Sequence, residues 1–158
     1  LVEDATKNWW DVRPNATFPI LEFLIAKICP RLEDGVTIAA LYVCLLSLLR
    51  RLRRENHRWR VYSNIFLCEN RWLVQRYRDD DGLVDFGCGK RVAYPNLLEK
   101  IIELAGEDAR GLGCLAEVKQ AREIVSEGTG AHRQPAVHQE ALDVVPTKVK
   151  PWWRSSIG

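Results

Sequence analysis

The chain has 158 residues, of which 47% are hydrophobic and 28% charged, and its formal net charge at pH 7 is +2. This composition excludes a disordered chain, and the near-neutral charge does not by itself indicate a polyanionic partner. The length fits one domain with a hydrophobic core. No stretch resembles a signal peptide, and the five cysteines have neither zinc-binding nor redox-motif spacing. We therefore expect reduced thiols in a cytoplasmic protein.

The first predicted elements are two short strands joined by a turn. Residues 9–13 are rich in aromatic and β-branched side chains, and Pro14 with Asn15 is a turn signal. Residues 20–25 are apolar except for Glu22, a pattern typical of a strand that is covered on both faces.

Helices are predicted for most of the remaining chain. Residues 36–49, after a predicted N-cap at Asp34, have almost no polar side chain. A bilayer needs about 20 residues, so this segment favours a central helix buried on nearly all sides rather than a membrane span. Further helices are predicted at 62–78, from Pro95 onward, at 115–125 and at 133–142, with a small hairpin from 83–86 and 90–93.

The second predicted helix has a recognisable apolar face. Val61, Ile65, Cys68 and Trp72 lie at positions i, i+4, i+7 and i+11, which fall on one side of a helix. This spacing predicts that they form its buried stripe.

Three charged residues stand out in the apolar N-terminal stretch. Asp11 and Arg13 lie on the first predicted strand and Glu22 on the second. One interpretation is a buried ion pair with only a structural role. The other is phosphate chemistry, since arginine suits bidentate contact with phosphate oxygens and a carboxylate can hold Mg²⁺.

Two other groups of residues are weaker candidates. Six arginines between Arg50 and Arg60 suggest a nucleic-acid patch, but a solvated helix end explains them better in a near-neutral chain. The three histidines do not share a helical face, and neither a nucleophile elbow nor a glycine-rich phosphate loop is present. Any ATP site in this chain would therefore be built on a sheet.

Several motifs, in order, resemble the C-terminal half of bacterial carboxylate–amine ligases, the second type of glutamate–cysteine ligase, which are distantly akin to glutamine synthetase. The resemblance covers about residues 4–141. The matching segments are Trp9–Pro14, Phe18–Phe23, Ala39–Tyr42, Glu69–Trp72 with Arg76-Tyr77, Leu112–Cys114, and Gly128–Ala131 with Arg133-Gln134.

The resemblance implies an α+β fold in which helices pack behind a curved antiparallel sheet. This chain would be a mostly helical fragment carrying a two-stranded antiparallel portion of that glutamine-synthetase-like sheet. It also implies an ATP- and Mg²⁺-dependent reaction that joins a carboxylate such as glutamate to an amine such as cysteine through an acyl phosphate. Glu22 matches the family's metal-binding acid, Arg13 its phosphate-facing or substrate-facing arginine, and Asn70 and Arg76 supporting positions near the nucleotide.

The chain also departs from the family pattern. Where the family strand has Thr, Arg and Asp, this chain has Ile20, Leu24 and Lys27, and His132 replaces an Asp of the Gly-Thr-Gly-Ala segment. Loss of a phosphate-facing arginine would remove transition-state stabilisation. The chain contains no Met and begins with Leu1. We therefore expect a fragment or an unusual start codon, with the ligase portion at 1–143 and a divergent tail at 144–158.

These observations lead to two hypotheses. In the first, the chain is part of a glutamate–cysteine-ligase-like enzyme and is inactive alone. In the second, it is a non-catalytic subunit or pseudoenzyme that pairs with a chain carrying the N-terminal half, or with itself, because unpaired strand edges favour association. Neither nucleic acid nor a membrane is expected as a partner.

Overall fold

The computed structural model describes residues 11–26, 29–77 and 82–144. These residues form five helices and two separate two-stranded antiparallel sheets, which confirms the predicted α+β class and its mostly helical character. In chain order the elements are β1 (Val12–Pro14), β2 (Leu21–Phe23), α1 (Leu32–Arg54), α2 (Asn64–Tyr77), β3 (Leu83–Asp85), β4 (Lys90–Val92), α3 (Tyr94–Gly111), α4 (Leu115–Glu127) and α5 (Gly130–Val144).

The chain divides into two compact units, residues 1–35 and 36–158. The first contains the β1–β2 hairpin, in which Arg13 lies opposite Glu22. The prediction that the second strand is covered on both faces is wrong for the described residues. Leu21 is 51% exposed and Leu24 is 40% exposed, because no element in the described part of this unit covers these side chains.

The second unit has its apolar core where α3 and α4 pack together. Ala105 and Ala109 on α3 and Val118 on α4 are fully buried, with Leu98 and Ile102 extending the cluster. Two alanines spaced four residues apart let the helices approach closely, since they lie on the same face of α3. The start of α3 is also as expected, with Pro95 in its first turn.

Helix α1 corrects the sequence analysis in length and in burial. It has 23 residues rather than fourteen, and Asp34 lies inside its first turn rather than at its N-cap. The buried side chains of α1 lie along one stripe and are Asp34, Thr37, Cys44 and Leu48. Of these, Cys44 belongs to the core cluster that α3 and α4 form. The prediction of a helix buried on nearly all sides is therefore wrong.

The length of α1 also removes the reason for excluding a membrane span. The helix is long and apolar enough to cross a bilayer by length and composition, and 22% of its most apolar window is buried. A core helix of a soluble protein passes the same test.

Helix α2 spans nearly the predicted residues, but its predicted apolar face is not its buried face. Ile65 is 71% exposed and Trp72 is 49% exposed, whereas Leu73 is the buried side chain. The adjacent β3–β4 hairpin lies where it was predicted, and its turn places Gly89 at a positive φ of 67°. The apolar periodicity of α2 therefore does not show which of its faces another element covers.

Candidate active site

The β1–β2 hairpin holds two of the predicted site residues in direct contact. Nε of Arg13 donates a hydrogen bond to Oε2 of Glu22 at 2.5 Å, across the register pair of the two strands. Nδ2 of Asn15 donates to Oε1 of the same carboxylate at 2.6 Å. Glu22 therefore receives a hydrogen bond on each oxygen, one from a cation and one from the turn.

Asn15 also builds the turn that brings the strands together. Its Oδ1 accepts hydrogen bonds from the backbone N–H groups of Thr17 and Phe18, at 2.8 and 2.9 Å. This is the local contact through which Asn favours turns. The turn prediction is thus confirmed, and the same side chain links the turn to the carboxylate. In the sequence Asn15 is recognisable as a turn signal, but its hydrogen bond to Glu22 is not.

The hydrogen bonds from Asn15 and then Arg13 hold the pKa of Glu22 below its usual range, although desolvation opposes them. The carboxylate is therefore ionised at neutral pH, as a metal ligand must be. Each oxygen retains a lone pair, and Mg²⁺ is commonly held by one or two carboxylates together with waters and substrate phosphates. Glu22 fits such a single-carboxylate contribution. Among the described residues, however, no three His, Cys, Asp or Glu side chains cluster to hold a metal.

The rest of the hairpin contains the departures from the family pattern. The backbone N–H of Leu24 donates to the carbonyl oxygen of Asp11 at 2.8 Å, which continues the strand pairing by one residue. The Leu24 side chain is exposed, and so is that of Ile20. Lys27 lies outside the described residues. At position 24 the hairpin therefore presents an apolar side chain where the resemblance implies a cation.

Asn70 and Arg76 belong to the second unit, on α2. Asn70 donates from Nδ2 to the carbonyl oxygen of Val84 and accepts from its N–H, both at 2.9 Å. This pair of bonds fastens strand β3 to α2. Arg76 is exposed in the last turn of the helix. The roles of both residues near a nucleotide stay predictions.

A cavity of about 710 Å³ lies beside Asn70 within the second unit. Its walls are largely apolar and aromatic, and the cationic Arg58, Arg60 and Lys100 also line it. Tyr62 packs against Phe86 with ring centroids 5.1 Å apart. The volume and lining are typical of a small-molecule site. Sequence reasoning missed this cavity because its lining residues come from separate segments that share no motif.

The arginine-rich end of α1 is a helix end, as predicted. Its last turn contains Arg51, Arg53 and Arg54. Arg51 contacts Asp108 of α3 at 2.9 Å and Glu107 at 3.4 Å. These acids neutralise part of the cluster, which weakens the case for a nucleic-acid patch.

His132, at a position where the resemblance implies an Asp, lies in the first turn of α5. Its Nδ1 accepts a hydrogen bond from the backbone N–H of Thr129 at 3.1 Å. A side-chain acceptor three residues after the N-cap position, here Thr129, is the arrangement of a capping box. The imidazole therefore supplies the acceptor that a carboxylate would supply at this position.

The model of Glutamate-cysteine ligase family 2 matches residues 2–143. The chain belongs to this family. The matched range contains every predicted site residue, namely Arg13, Glu22, Asn70 and Arg76.

Curated relatives place the chain in the C-terminal part of longer proteins. A Rhodospirillum rubrum protein, provisionally named glutamate–cysteine ligase 2, is 52% identical over 89% of this chain and 36% of its own length. Proteins with the same provisional name from Jannaschia and Paracoccus denitrificans are 47% and 39% identical, over 88% and 100% of this chain. The chain spans 36% and 42% of their lengths, respectively. No solved structure matches it.

Proposed function

We propose that this member of Glutamate-cysteine ligase family 2 contributes one wall of an ATP-dependent carboxylate–amine ligase site in the cytoplasm. The observation that carries the proposal is the charged pair of Arg13 and ionised Glu22 on an exposed hairpin of a chain that matches the family over residues 2–143. The proposed substrates are glutamate or another carboxylate, an amine such as cysteine, and ATP. Neither nucleic acid nor a membrane is part of this proposal.

In the proposed reaction the carboxylate takes the terminal phosphoryl group of ATP, and the amine then displaces phosphate from the acyl phosphate. Mg²⁺, when bound, neutralises charge on the transferring phosphoryl group. Glu22 would supply one of its ligands. Arg13 would hold a phosphate or substrate oxygen with its guanidinium edge, while its Nε keeps Glu22 in place.

We propose further that the chain does not turn over substrate alone. It spans only 36–42% of the length of the relatives described above, so more than half of each relative has no counterpart in these 158 residues. Leu24 also presents no cation where the resemblance implies an arginine. A metal shell with a single carboxylate and a missing phosphate contact would leave phosphoryl transfer weakly stabilised.

The test is a chimera in which residues 2–143 replace the matching region of the Rhodospirillum rubrum protein. Phosphate release is measured with glutamate, cysteine and Mg-ATP, for the chimera and for the isolated chain. We expect activity in the chimera alone, and a further increase with Leu24→Arg. Glu22→Gln and Arg13→Gln in the chimera should each lower kcat by at least about 100-fold, the usual effect of removing one preorganised charge.

Glu99→Gln is the matched control for these variants. It removes an equivalent charge from an exposed ion pair with Arg122 on the helical unit and should leave kcat unchanged. Turnover by the isolated chain would contradict the proposed dependence on missing sequence. Full activity of the Glu22→Gln chimera would contradict the assigned role of the hairpin.

A second candidate is a non-catalytic subunit that pairs with another chain or with itself. The observation that favours it is α2, whose exposed apolar side chains include Ile65, Phe66 and Trp72. Large exposed apolar patches mark interaction surfaces. Light scattering over a range of concentrations tests it, because a monomer at every concentration would exclude self-association. A partner chain would be tested by mixing with the matching N-terminal part of the Rhodospirillum rubrum protein.

A further inference from the structure

Two cysteines that are far apart in sequence meet inside the helical unit. Sγ of Cys44 on α1 lies 3.4 Å from Sγ of Cys114, which directly precedes α4. Both are free thiols, and a disulfide holds its sulfurs at about 2.05 Å, so bonding requires the two side chains to approach each other further. Cys68 and Cys88 are exposed free thiols elsewhere in the helical unit.

We propose that Cys44 and Cys114 form an oxidation site, at which a hydroperoxide converts the two thiols into a reversible intramolecular disulfide. This inference does not depend on the ligase activity. The two sulfurs are in contact, and the two thiols differ in their exposure to solvent.

The difference in exposure indicates which of the two thiols the hydroperoxide oxidises first. Cys114 is partly exposed, whereas Cys44 is fully buried. Burial, followed by the hydrogen bond with Cys114, raises the pKa of Cys44 to about 12. Cys44 therefore remains a protonated thiol out of reach of solvent, and the solvent-accessible Cys114 reacts first, because the thiolate is the nucleophile in such reactions.

In the first step the thiolate of Cys114 attacks one oxygen of the hydroperoxide, and the O–O bond breaks. The products are a sulfenic acid on Cys114 and, after protonation, an alcohol, or water when the oxidant is hydrogen peroxide. In the second step the sulfur of Cys44 attacks the sulfenic sulfur. The hydroxyl leaves as water with the Cys44 proton, and two thiols have been oxidised by one peroxide.

The new bond would tie α1 to the start of α4 by joining two residues that are 70 positions apart in the chain. It would enclose α2, the β3–β4 hairpin and α3 in one covalent loop. Because such a loop restricts the unfolded chain, the oxidised protein should unfold at a higher temperature than the reduced protein. Reduction by a dithiol should return the original value.

The experiment treats the full chain with hydrogen peroxide, blocks remaining thiols, and maps peptides by mass spectrometry without reductant. We expect a mass loss of about 2 Da before blocking and a cross-linked pair of peptides containing Cys44 and Cys114, both reversed by dithiothreitol. Cys114→Ser should abolish the cross-link. Cys68→Ser, which removes an exposed thiol elsewhere, should leave it unchanged.

A further variant keeps the proposal testable if a change at Cys114 disturbs folding. In Cys44→Ala the resolving thiol is absent, so dimedone should trap a sulfenic acid on Cys114. The proposal is overturned if peroxide drives wild-type Cys114 to sulfinic acid without the cross-link. It is equally overturned if the cross-link joins other cysteines.

Discussion

The β1–β2 hairpin and the α3–α4 core are stabilised by different kinds of contact. In the hairpin the described side chains are exposed or half-buried, and a carboxylate that bonds Arg13 and Asn15 connects its strands and turn. In the core, Ala105, Ala109 and Val118 are fully buried and make apolar contacts. The difference indicates that charge can be changed in the hairpin without unfolding the core. The region proposed to carry chemistry is therefore separable from the region that carries stability.

The largest effect should come from removing apolar volume at the core. Ile102→Ala deletes a side chain that is 5% exposed, and such changes cost about 2–5 kcal/mol. We expect the midpoint of thermal unfolding to fall by roughly 4–20 °C, as measured by circular dichroism. Ile101→Ala, one residue earlier and 37% exposed, is the control and should shift it much less. Equal effects of the two changes would contradict the assignment of the core face of α3.

An intermediate effect should come from the charged contact that joins α1 to α3. Burial alone would raise the pKa of Asp108, but hydrogen bonds from Ser47 at 2.7 Å and Arg51 at 2.9 Å outweigh it and hold the pKa below its usual value. Asp108→Asn should destabilise the helical unit by about 1–2 kcal/mol, since the exposed part of Arg51 is screened by solvent. Denaturant unfolding measures this. Glu107→Gln, on the exposed second partner of Arg51, should have less effect.

The same residue gives a pH dependence with a defined sign. A carboxyl group with a lowered pKa in the folded state stabilises the protein above its unfolded value, about 3.9 for Asp. That contribution is lost as the pH falls through the folded value. Below about pH 4 the difference between the wild type and Asp108→Asn should therefore shrink. A constant difference from pH 7 down to pH 2 would contradict the role of the ionised carboxylate.

The local order of the chain was largely predictable from sequence, whereas burial was not. Pro95 in the first turn of α3 and the turn at Asn15 act through local backbone chemistry, so their elements lie close to where the sequence places them. Apolar periodicity on α1 and α2 instead reports which side chains are apolar. It cannot report whether another element packs over them, and for both helices the predicted burial was wrong.

In the candidate site, too, some contacts could be predicted from the sequence and others could not. The pairing of Arg13 with Glu22 follows from two strands joined by a short turn, which a sequence reveals. The bond from Asn15 to Glu22, the fastening of Val84 by Asn70 and the aromatic cavity depend on how side chains meet in space. Nothing in the spacing of these residues indicates those contacts.

The smallest effect on global stability, and the sharpest test of the comparison, should come from Glu22→Gln. The amide loses the charge that holds Arg13, so the hairpin should open more often while the main unfolding transition stays where it is. Hydrogen exchange measures this opening at two amides, those of Leu24 and Asn15, which donate to the carbonyl oxygens of Asp11 and Ile20. Both should exchange several-fold faster than in the wild type.

In the wild type, protonation of Glu22 at low pH should increase the opening of the hairpin as Glu22→Gln does. The pKa of Glu22 is lowered in the folded state, so its contribution is present above the unfolded value, about 4.3, and lost as the pH falls through the folded value. Asp85→Asn is the matched control, because Asp85 pairs with Lys100 beside the other hairpin. It should leave exchange at Leu24 unchanged. If Glu22→Gln instead lowered the main transition as much as Ile102→Ala does, the hairpin and the core would be one cooperative unit, and the separation of site from stability would be wrong.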